Sequence, residues 1–187
     1  MEALRPITAE ELRALRWMRI PEARHTFLLT SETGAHARLA WDRGGHRQAQ
    51  LWTVEGEYAL VRRGFLRPRV TMYRTGENAP RGELAASHDG EGGVSISVGE
   101  EGGWRLARAG RAVPAWTLTR KDGAEAAHIE PVREGATLDG AIIAVPAGAM
   151  EPGAAAYVLA LAWYFIALAW AEDEIVAEWV DHAEGQF

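Results

Sequence analysis

Arginine is concentrated between residues 62 and 81, although the chain as a whole is acidic, with a formal net charge of −6. The candidate ligand-binding residues in this stretch are Arg62, Arg63, Arg67, Arg69, Tyr73, Arg74 and Arg81. Guanidinium groups bind phosphate through paired hydrogen bonds, and basic clusters attract anionic lipid headgroups. On an extended strand, Arg67, Arg69, Thr71 and Tyr73 would share one face. The stretch therefore predicts an anion-binding face, the alternative being a solvated strand face that protects a sheet edge from aggregation.

No catalytic residue is predicted. Ser87, His88 and Asp89 are the residue types of a hydrolase triad, but neighbouring side chains on a strand point apart, whereas a triad must converge. We interpret this tripeptide as the lead into a turn, and the sequence favours a protein that is not an enzyme.

No metal site and no cofactor are predicted either. The six histidines are His25, His36, His46, His88, His128 and His182. None has the spacing of a zinc motif. Glu172, Asp173 and Glu174 are consecutive, whereas calcium ligands usually alternate along a loop, so a solvated helix end is the better interpretation.

Length and composition narrow the class of protein. A chain of 187 residues can form one domain with a substantial core. Cysteine is absent, which excludes disulfides and thiolate chemistry. The acidic charge disfavours nucleic acid as a partner. The N-terminal residues carry charges and no apolar stretch typical of a secretory signal, so a cytoplasmic protein is predicted, with peripheral membrane association as an option.

From residue 25 onward, short apolar runs alternate with turn residues at intervals of about ten residues, which predicts an antiparallel sandwich or barrel. The predicted strands are His25–Ser31, Ala35–Trp41, Gln48–Val54, Tyr58–Arg63, Phe65–Arg74, Gly82–His88, Val94–Val98, Trp104–Arg108, Ala115–Arg120, Ala124–Glu130 and Ala141–Val145. Asp-Gly and Gly-Gly pairs between them supply the positive φ angles of tight hairpins.

Residues 153–171 form an uncharged apolar run that is long enough to span a bilayer. Three features favour burial inside the protein instead. The run is rich in alanine, Trp163 and Tyr164 would lie near the middle of a bilayer rather than at its interfaces, and acidic residues flank both ends. A barrel of about twelve strands is too wide for its own side chains to fill, so this helix is predicted to occupy its lumen.

Short segments are predicted at both termini. Thr8 and Glu11 form a capping-box pattern that predicts a helix to about Arg19, within an N-terminal helical extension of residues 1–24. Residues 172–187 are predicted to form an acidic amphipathic tail with an apolar stripe, which would cap the barrel or pair with a second copy as a homodimer.

The order of these elements resembles the tubby C-terminal-like fold, and more closely its LURP-one-related branch, which groups structurally with phospholipid scramblases. The resemblance covers about residues 25–171, and the hairpins at Val70–Leu84 and Trp116–Ile129 and the helix at Ala154–Ala171 carry it. It implies a closed barrel around a buried C-terminal helix. Tubby-type domains bind phosphoinositides through basic residues on the barrel exterior, whereas scramblase relatives carry calcium-binding and membrane segments. No residue here matches those ligand positions.

The sequence therefore predicts a mainly β chain with one long helix, built as a closed antiparallel barrel of about 12 strands. The leading hypothesis for function is a non-enzymatic binding domain for an anionic phospholipid or phosphoinositide. One alternative is a tail-anchored or scramblase-like membrane protein in which residues 153–171 cross the bilayer. A second is a small-molecule carrier or enzyme.

Overall fold

The computed structural model describes residues 3–23, 25–42, 47–64, 68–76, 85–88, 93–98, 102–109, 115–135 and 137–184. Within them lie twelve strands and one long helix. The strands are β1 (Leu15–Arg19), β2 (Thr26–Ser31), β3 (Gly34–Trp41), β4 (Gln48–Thr53), β5 (Gly56–Arg63), β6 (Arg69–Arg74), β7 (Ala85–His88), β8 (Val94–Val98), β9 (Gly102–Arg108), β10 (Trp116–Arg120), β11 (Glu125–Glu134) and β12 (Thr137–Ala144). The helix is α1 (Pro152–Glu184). The predicted class, a mainly β chain with one C-terminal helix, is confirmed.

Strands that are consecutive along the chain pair antiparallel, from β1 with β2 through to β11 with β12. Strand β1 also pairs with β12, and Met18 faces Gly140 across this contact. A Cβ atom at Gly140 would lie 2.0 Å from the carbonyl oxygen of Trp17. Glycine is therefore required at this position for the two backbones to approach each other.

The inner face of the sheet packs around α1. Every residue from Ala155 to Leu168 is buried, so all sides of the helix are covered there. Trp163 stacks on Trp17 with ring centroids 6.2 Å apart and lies edge-on to Phe27 at 5.2 Å. Because an alanine-rich helix has a small radius, the surrounding strands can approach it while its large side chains fill the remaining space.

The residues Pro152–Trp170 are long and apolar enough to cross a membrane, with a mean hydropathy of 1.7. However, 67% of that window is buried inside the protein. The helix continues past the predicted end at Ala171 to Glu184, so the predicted amphipathic tail is a continuation of the same helix rather than a separate segment. The side chains beyond Trp170 lie outside the described part of the structure.

The predicted N-terminal helix to about Arg19 is wrong. Only a short 3-10 turn forms, at Glu11–Ala14, and Leu15–Arg19 is strand β1. Leu15 and Trp17 are buried whereas Arg16 and Met18 are exposed, which is the alternation of a strand with one buried face. The stacking of Trp17 on Trp163 and the pairing with two neighbouring strands outweigh the local helical signal. Residues 1–24 are therefore not a helical extension, because β1 is part of the sheet.

The sheet has two ends, which we call upper and lower. The upper end contains the turns at residues 31–34 and 53–56 and the start of α1, whereas the lower end contains the hairpin between β11 and β12. Arg133 of that hairpin lies over the ring of Trp170, 3.9 Å from its centroid. The helix thus runs along the inner face of the sheet from the upper end to the lower end.

Candidate functional site

Two of the predicted arginines form a pair on the outer face of the sheet. Arg63 at the end of β5 is directly opposite Arg69 at the start of β6. Both are exposed, since the alternating buried residues Leu60 and Val70 place them on the outer side. Neither guanidinium has a salt-bridge partner among the residues that the structure describes. Like charges directly opposite each other in a sheet are destabilising, so this arginine pair has a cost that a bound anion would remove.

Thr71 and Tyr73 continue along β6 on the same outer face as Arg69, as the two-residue period predicts. Both are partly buried between neighbouring strands, and Tyr73 is opposite Ala59. The side chain of Tyr73 begins about 13 Å along the strand from that of Arg69, at about 3.3 Å per residue. Thr71, which is closer, is therefore the better placed of the two to contribute to a site at the arginine pair.

Arg62 and Arg74 do not belong to this face. Arg62 is on the inner face of β5, two residues after the buried Leu60. It lies close enough to Tyr164 of α1 for its charge to affect the pKa of that tyrosine. Burial raises the pKa of Tyr164 to about 12, and the charge of Arg62 opposes that rise. Arg74 is on the inward register at the upper end, where its Nη2 donates a hydrogen bond of 3.0 Å to the carbonyl oxygen of Glu55. Arg67 and Arg81 lie outside the described residues.

A second group of polar side chains joins the N-terminal segment to the β2–β3 turn at the upper end. This Glu11 cluster consists of Arg5, Thr8, Glu11, Ser31, Thr33 and His36. The predicted capping box is present, because the Thr8 N–H donates to Glu11 Oε2 at 2.8 Å and the Glu11 N–H donates to Thr8 Oγ1 at 3.4 Å.

The other carboxylate oxygen of Glu11, Oε1, is contacted by several neighbouring side chains. It receives a hydrogen bond from Thr33 Oγ1, lies 3.3 Å from Ser31 Oγ, and forms a salt bridge of 3.3 Å with Arg5 Nη2. Burial alone would raise the pKa of Glu11, but hydrogen bonds from Thr33 and Thr8, with a smaller effect of His36, lower it to about 2. Glu11 is thus a carboxylate at physiological pH.

His36 is 1% exposed and both of its ring nitrogens have partners. Nδ1 is 3.1 Å from the carbonyl oxygen of Arg5, and Nε2 is 2.9 Å from Ser31 Oγ. A carbonyl oxygen can only accept, so Nδ1 carries a proton and donates it to Arg5. In the neutral imidazole, Nε2 is therefore the acceptor.

A cavity of about 110 Å³ lies beside this cluster, where α1 begins. The hydroxyl of Tyr157 reaches its wall, donates to Glu55 Oε2 at 2.5 Å, and lies 3.0 Å from the hydroxyl of Tyr58. Burial and the hydrogen bond to Glu55 raise the pKa of Tyr157 above its usual range. These contacts fix the start of the helix to the β4–β5 turn.

The remaining candidates give no site. Ser87 and His88 lie on β7, where only the backbone is described, and Asp89 lies outside the described residues. Within the described ranges, no group of three or more histidine, aspartate or glutamate side chains could hold a metal ion. His128 instead pairs with Glu130 at 3.2 Å on the outer face.

The sequence reasoning missed the contact between Ser31 and His36. The five-residue spacing of Ser31 and His36 would put the two on opposite faces of a regular strand, but the β2–β3 turn and a bulge at Leu29 and Thr30 bring them together. The signals that could have found it are the Ser-x-Thr-Gly turn and the nearby capping box.

The chain was compared with protein-family models, curated proteins and solved structures, and none of them matches it.

Proposed function

We propose that this protein binds anionic phospholipid headgroups, such as those of phosphoinositides, at the Arg63–Arg69 pair. The observation that carries the proposal is the direct opposition of two exposed guanidinium groups without a carboxylate partner among the described residues. Two arginines at this spacing can each donate a pair of hydrogen bonds to one phosphate group. Binding would replace a repulsive pair by two charge-assisted contacts.

The neighbouring residues support a compact anion site rather than an extended basic surface. Thr71 provides a hydroxyl on the same face, two positions from Arg69. Arg62 and Arg74 face the other side of the sheet and do not contribute to this site. The whole chain is acidic, so attraction to an anionic surface would be local and strongly dependent on salt.

We further propose that the sheet is a closed barrel around α1, of the tubby C-terminal-like type and similar to LURP-one-related proteins. The pairing of β1 with both β2 and β12 supports closure. The burial of α1 on all sides between Ala155 and Leu168 supports enclosure. A protein of this kind would be cytoplasmic and would associate with membranes peripherally, and the helical extension beyond Trp170 would offer a surface for a homodimer.

The burial of α1 argues against the tail-anchored alternative, because a membrane-spanning helix would have to leave the aromatic contacts with Trp17 and Phe27. No observation in the described residues favours a carrier, since the inner face of the sheet is occupied by the helix itself.

Liposome flotation of detergent-free protein tests the proposal. Wild-type protein should float with vesicles that contain phosphoinositide, at low salt but not at high salt, and should not float with neutral phosphatidylcholine vesicles. The double variant Arg63→Glu/Arg69→Glu should lose flotation. Salt-resistant flotation with every vesicle would instead support the membrane-spanning alternative.

Arg16→Glu is the matched control for this experiment. Arg16 is an exposed arginine on the outer face of β1, but Thr30 and Ile142 are opposite it rather than another arginine. Flotation of this variant should equal that of the wild type. An equal loss of flotation in the double variant and in Arg16→Glu would show that binding depends on the overall charge of the protein. It would contradict the assignment of the site to the arginine pair.

A further inference from the structure

The Ser31–His36 contact has the geometry of a hydrolytic pair. Ser31 Oγ is 2.9 Å from His36 Nε2, and His36 Nδ1 is held by the Arg5 carbonyl oxygen at 3.1 Å. A nucleophile within hydrogen-bond distance of a base, and a third group that orients the base, are the parts such catalysis needs. The side chains of residues 87–89 lie outside the described part of the structure, whereas Ser31 and His36 are in contact.

The hydrogen-bond geometry favours His36 Nε2 as the acceptor of the Ser31 proton, because Nε2 is 2.9 Å from Ser31 Oγ whereas Glu11 Oε1 is 3.3 Å from it. With Nδ1 protonated, the Nε2 lone pair of the buried imidazole needs a donor, and Ser31 provides one. Glu11 Oε1 is a second acceptor for the Ser31 hydroxyl, but it also receives a hydrogen bond from the Thr33 hydroxyl and a salt bridge from Arg5. The Thr33 N–H donates to Ser31 Oγ at 3.2 Å, which fixes the position of the oxygen.

An open groove of about 540 Å³ begins at Ser31 and runs along the outer face of β1 and β2. Its walls are apolar where Met18, Ile20, Pro21 and Leu28 line it. Met18 is 49% exposed. An exposed apolar wall that leads to a hydroxyl fits an acyl chain whose carbonyl carbon lies at Ser31.

We propose that Ser31 is a nucleophile that cleaves acyl esters, with His36 as its general base. Ser31 Oγ attacks the ester carbonyl carbon while its proton passes to His36 Nε2, and the carbonyl electron pair moves onto oxygen. Collapse breaks the bond to the alcohol oxygen, which takes the proton from His36 and leaves as an alcohol. Water then attacks the acyl-serine, gives a proton to His36, and the acid departs as the proton returns to Ser31.

The charges around the pair suit this sequence of steps. His36 becomes an imidazolium in each attack, and the Glu11 carboxylate, 3.9 Å from Nε2, stabilises that cation. This site is separate from the arginine pair, so either proposal can fail without the other.

A fluorophosphonate probe and intact-mass measurement on the full-length protein test the proposal. One adduct should form and map to Ser31, and Ser31→Ala should form none. His36→Asn keeps a donor for the Arg5 carbonyl but lacks Nε2, so labelling should fall on the order of 10²-fold. Thr117→Ala is the control. Thr117 on β10 is opposite His128 on β11, but His128 is hydrogen-bonded to Glu130 instead. This variant should be labelled to the same extent as the wild type.

Hydrolysis of p-nitrophenyl esters tests the groove. Met18→Gln should raise KM for the octanoate and leave the acetate unchanged, because only the longer chain reaches the groove wall. Circular dichroism should show that each variant is folded. No adduct at Ser31 in folded wild-type protein, or equal labelling of Ser31→Ala, would overturn the proposal. Labelling of Ser31 without turnover of either ester would also overturn the hydrolase assignment.

Discussion

The Glu11 cluster and the arginine pair are both groups of charged residues on the same sheet, but their charges are satisfied in opposite ways. In the Glu11 cluster, one carboxylate receives hydrogen bonds from hydroxyl and backbone groups and a salt bridge from Arg5. In the arginine pair, two cations are opposite each other without a counter-charge among the described residues. Charge alone therefore does not indicate an anion site, because the charges of the Glu11 cluster are paired within the protein whereas the two guanidinium groups of the arginine pair are available to a ligand.

The largest effect on stability is expected from removing the centre of the Glu11 cluster. Glu11→Ala should lower the free energy of unfolding by about 2–3 kcal/mol, because Thr33, Thr8 and Arg5 lose a charged acceptor. Urea unfolding measures the change. Glu10→Ala, at an exposed neighbouring carboxylate, is the control and should change it by less than about 0.5 kcal/mol. Equal losses in the two variants would show that the cluster does not stabilise the fold.

The same cluster should make stability depend on pH in the acid range. The pKa of Glu11 is lowered in the folded state, from 4.5 to about 2. Its contribution is therefore complete above about pH 4.5 and is lost as the pH falls towards 2, by about 2 kcal/mol after allowance for screening by solvent. Urea unfolding at a series of pH values should show this loss, and Glu11→Gln should reduce the slope. An unchanged slope in the variant would contradict the assignment.

A smaller effect is expected at the start of α1. Tyr157→Phe removes the hydrogen bonds to Glu55 and Tyr58 and should cost about 1 kcal/mol in thermal or urea unfolding. Tyr73→Phe is the matched control, because the Tyr73 hydroxyl has no hydrogen-bond partner among the described residues and its loss should be nearly neutral. If both variants lost the same amount, the hydroxyl contacts of Tyr157 would not account for its effect.

The smallest effect on stability is expected at the arginine pair and has the opposite sign. Arg69→Glu places a carboxylate opposite Arg63 and should raise the free energy of unfolding by about 0.2–1 kcal/mol while anion binding is lost. Arg16→Glu should give neither change, because no arginine is opposite it. A decrease in stability on Arg69→Glu would mean that Arg69 already has a favourable partner in the fold.

The sequence predicted most of the fold because its signals were local. The Asp122-Gly123 pair marked the hairpin between β10 and β11, where Gly123 has a positive φ, and the apolar run at residues 153–171 marked the helix. Strand β1 was missed because Leu12, Leu15 and Met18 repeat every three residues after a genuine capping box. Its strand conformation depends on pairing with β12, which is more than 100 residues away in the sequence.

The candidate sites were less predictable, because they depend on which side chains the fold brings together. The two-residue period correctly placed Arg69, Thr71 and Tyr73 on one face. The same period puts Arg62 and Arg74 on the other face. Counting the arginines along the sequence therefore overestimates the size of the anion-binding surface. The pairing of Arg63 with Arg69 and the contact of Ser31 with His36 follow from hairpin registers that composition does not specify.

Thermal unfolding of the wild-type protein and of Arg69→Glu, each titrated with a soluble phosphoinositide headgroup, tests whether the arginine pair binds the anion. A ligand that binds only the folded protein raises its melting temperature with concentration. We expect a rise in the melting temperature of the wild type that 0.5 M salt abolishes, and no rise for Arg69→Glu. An equal rise in both proteins, or none in the wild type at low salt, would contradict the assignment of the arginine pair as the anion site.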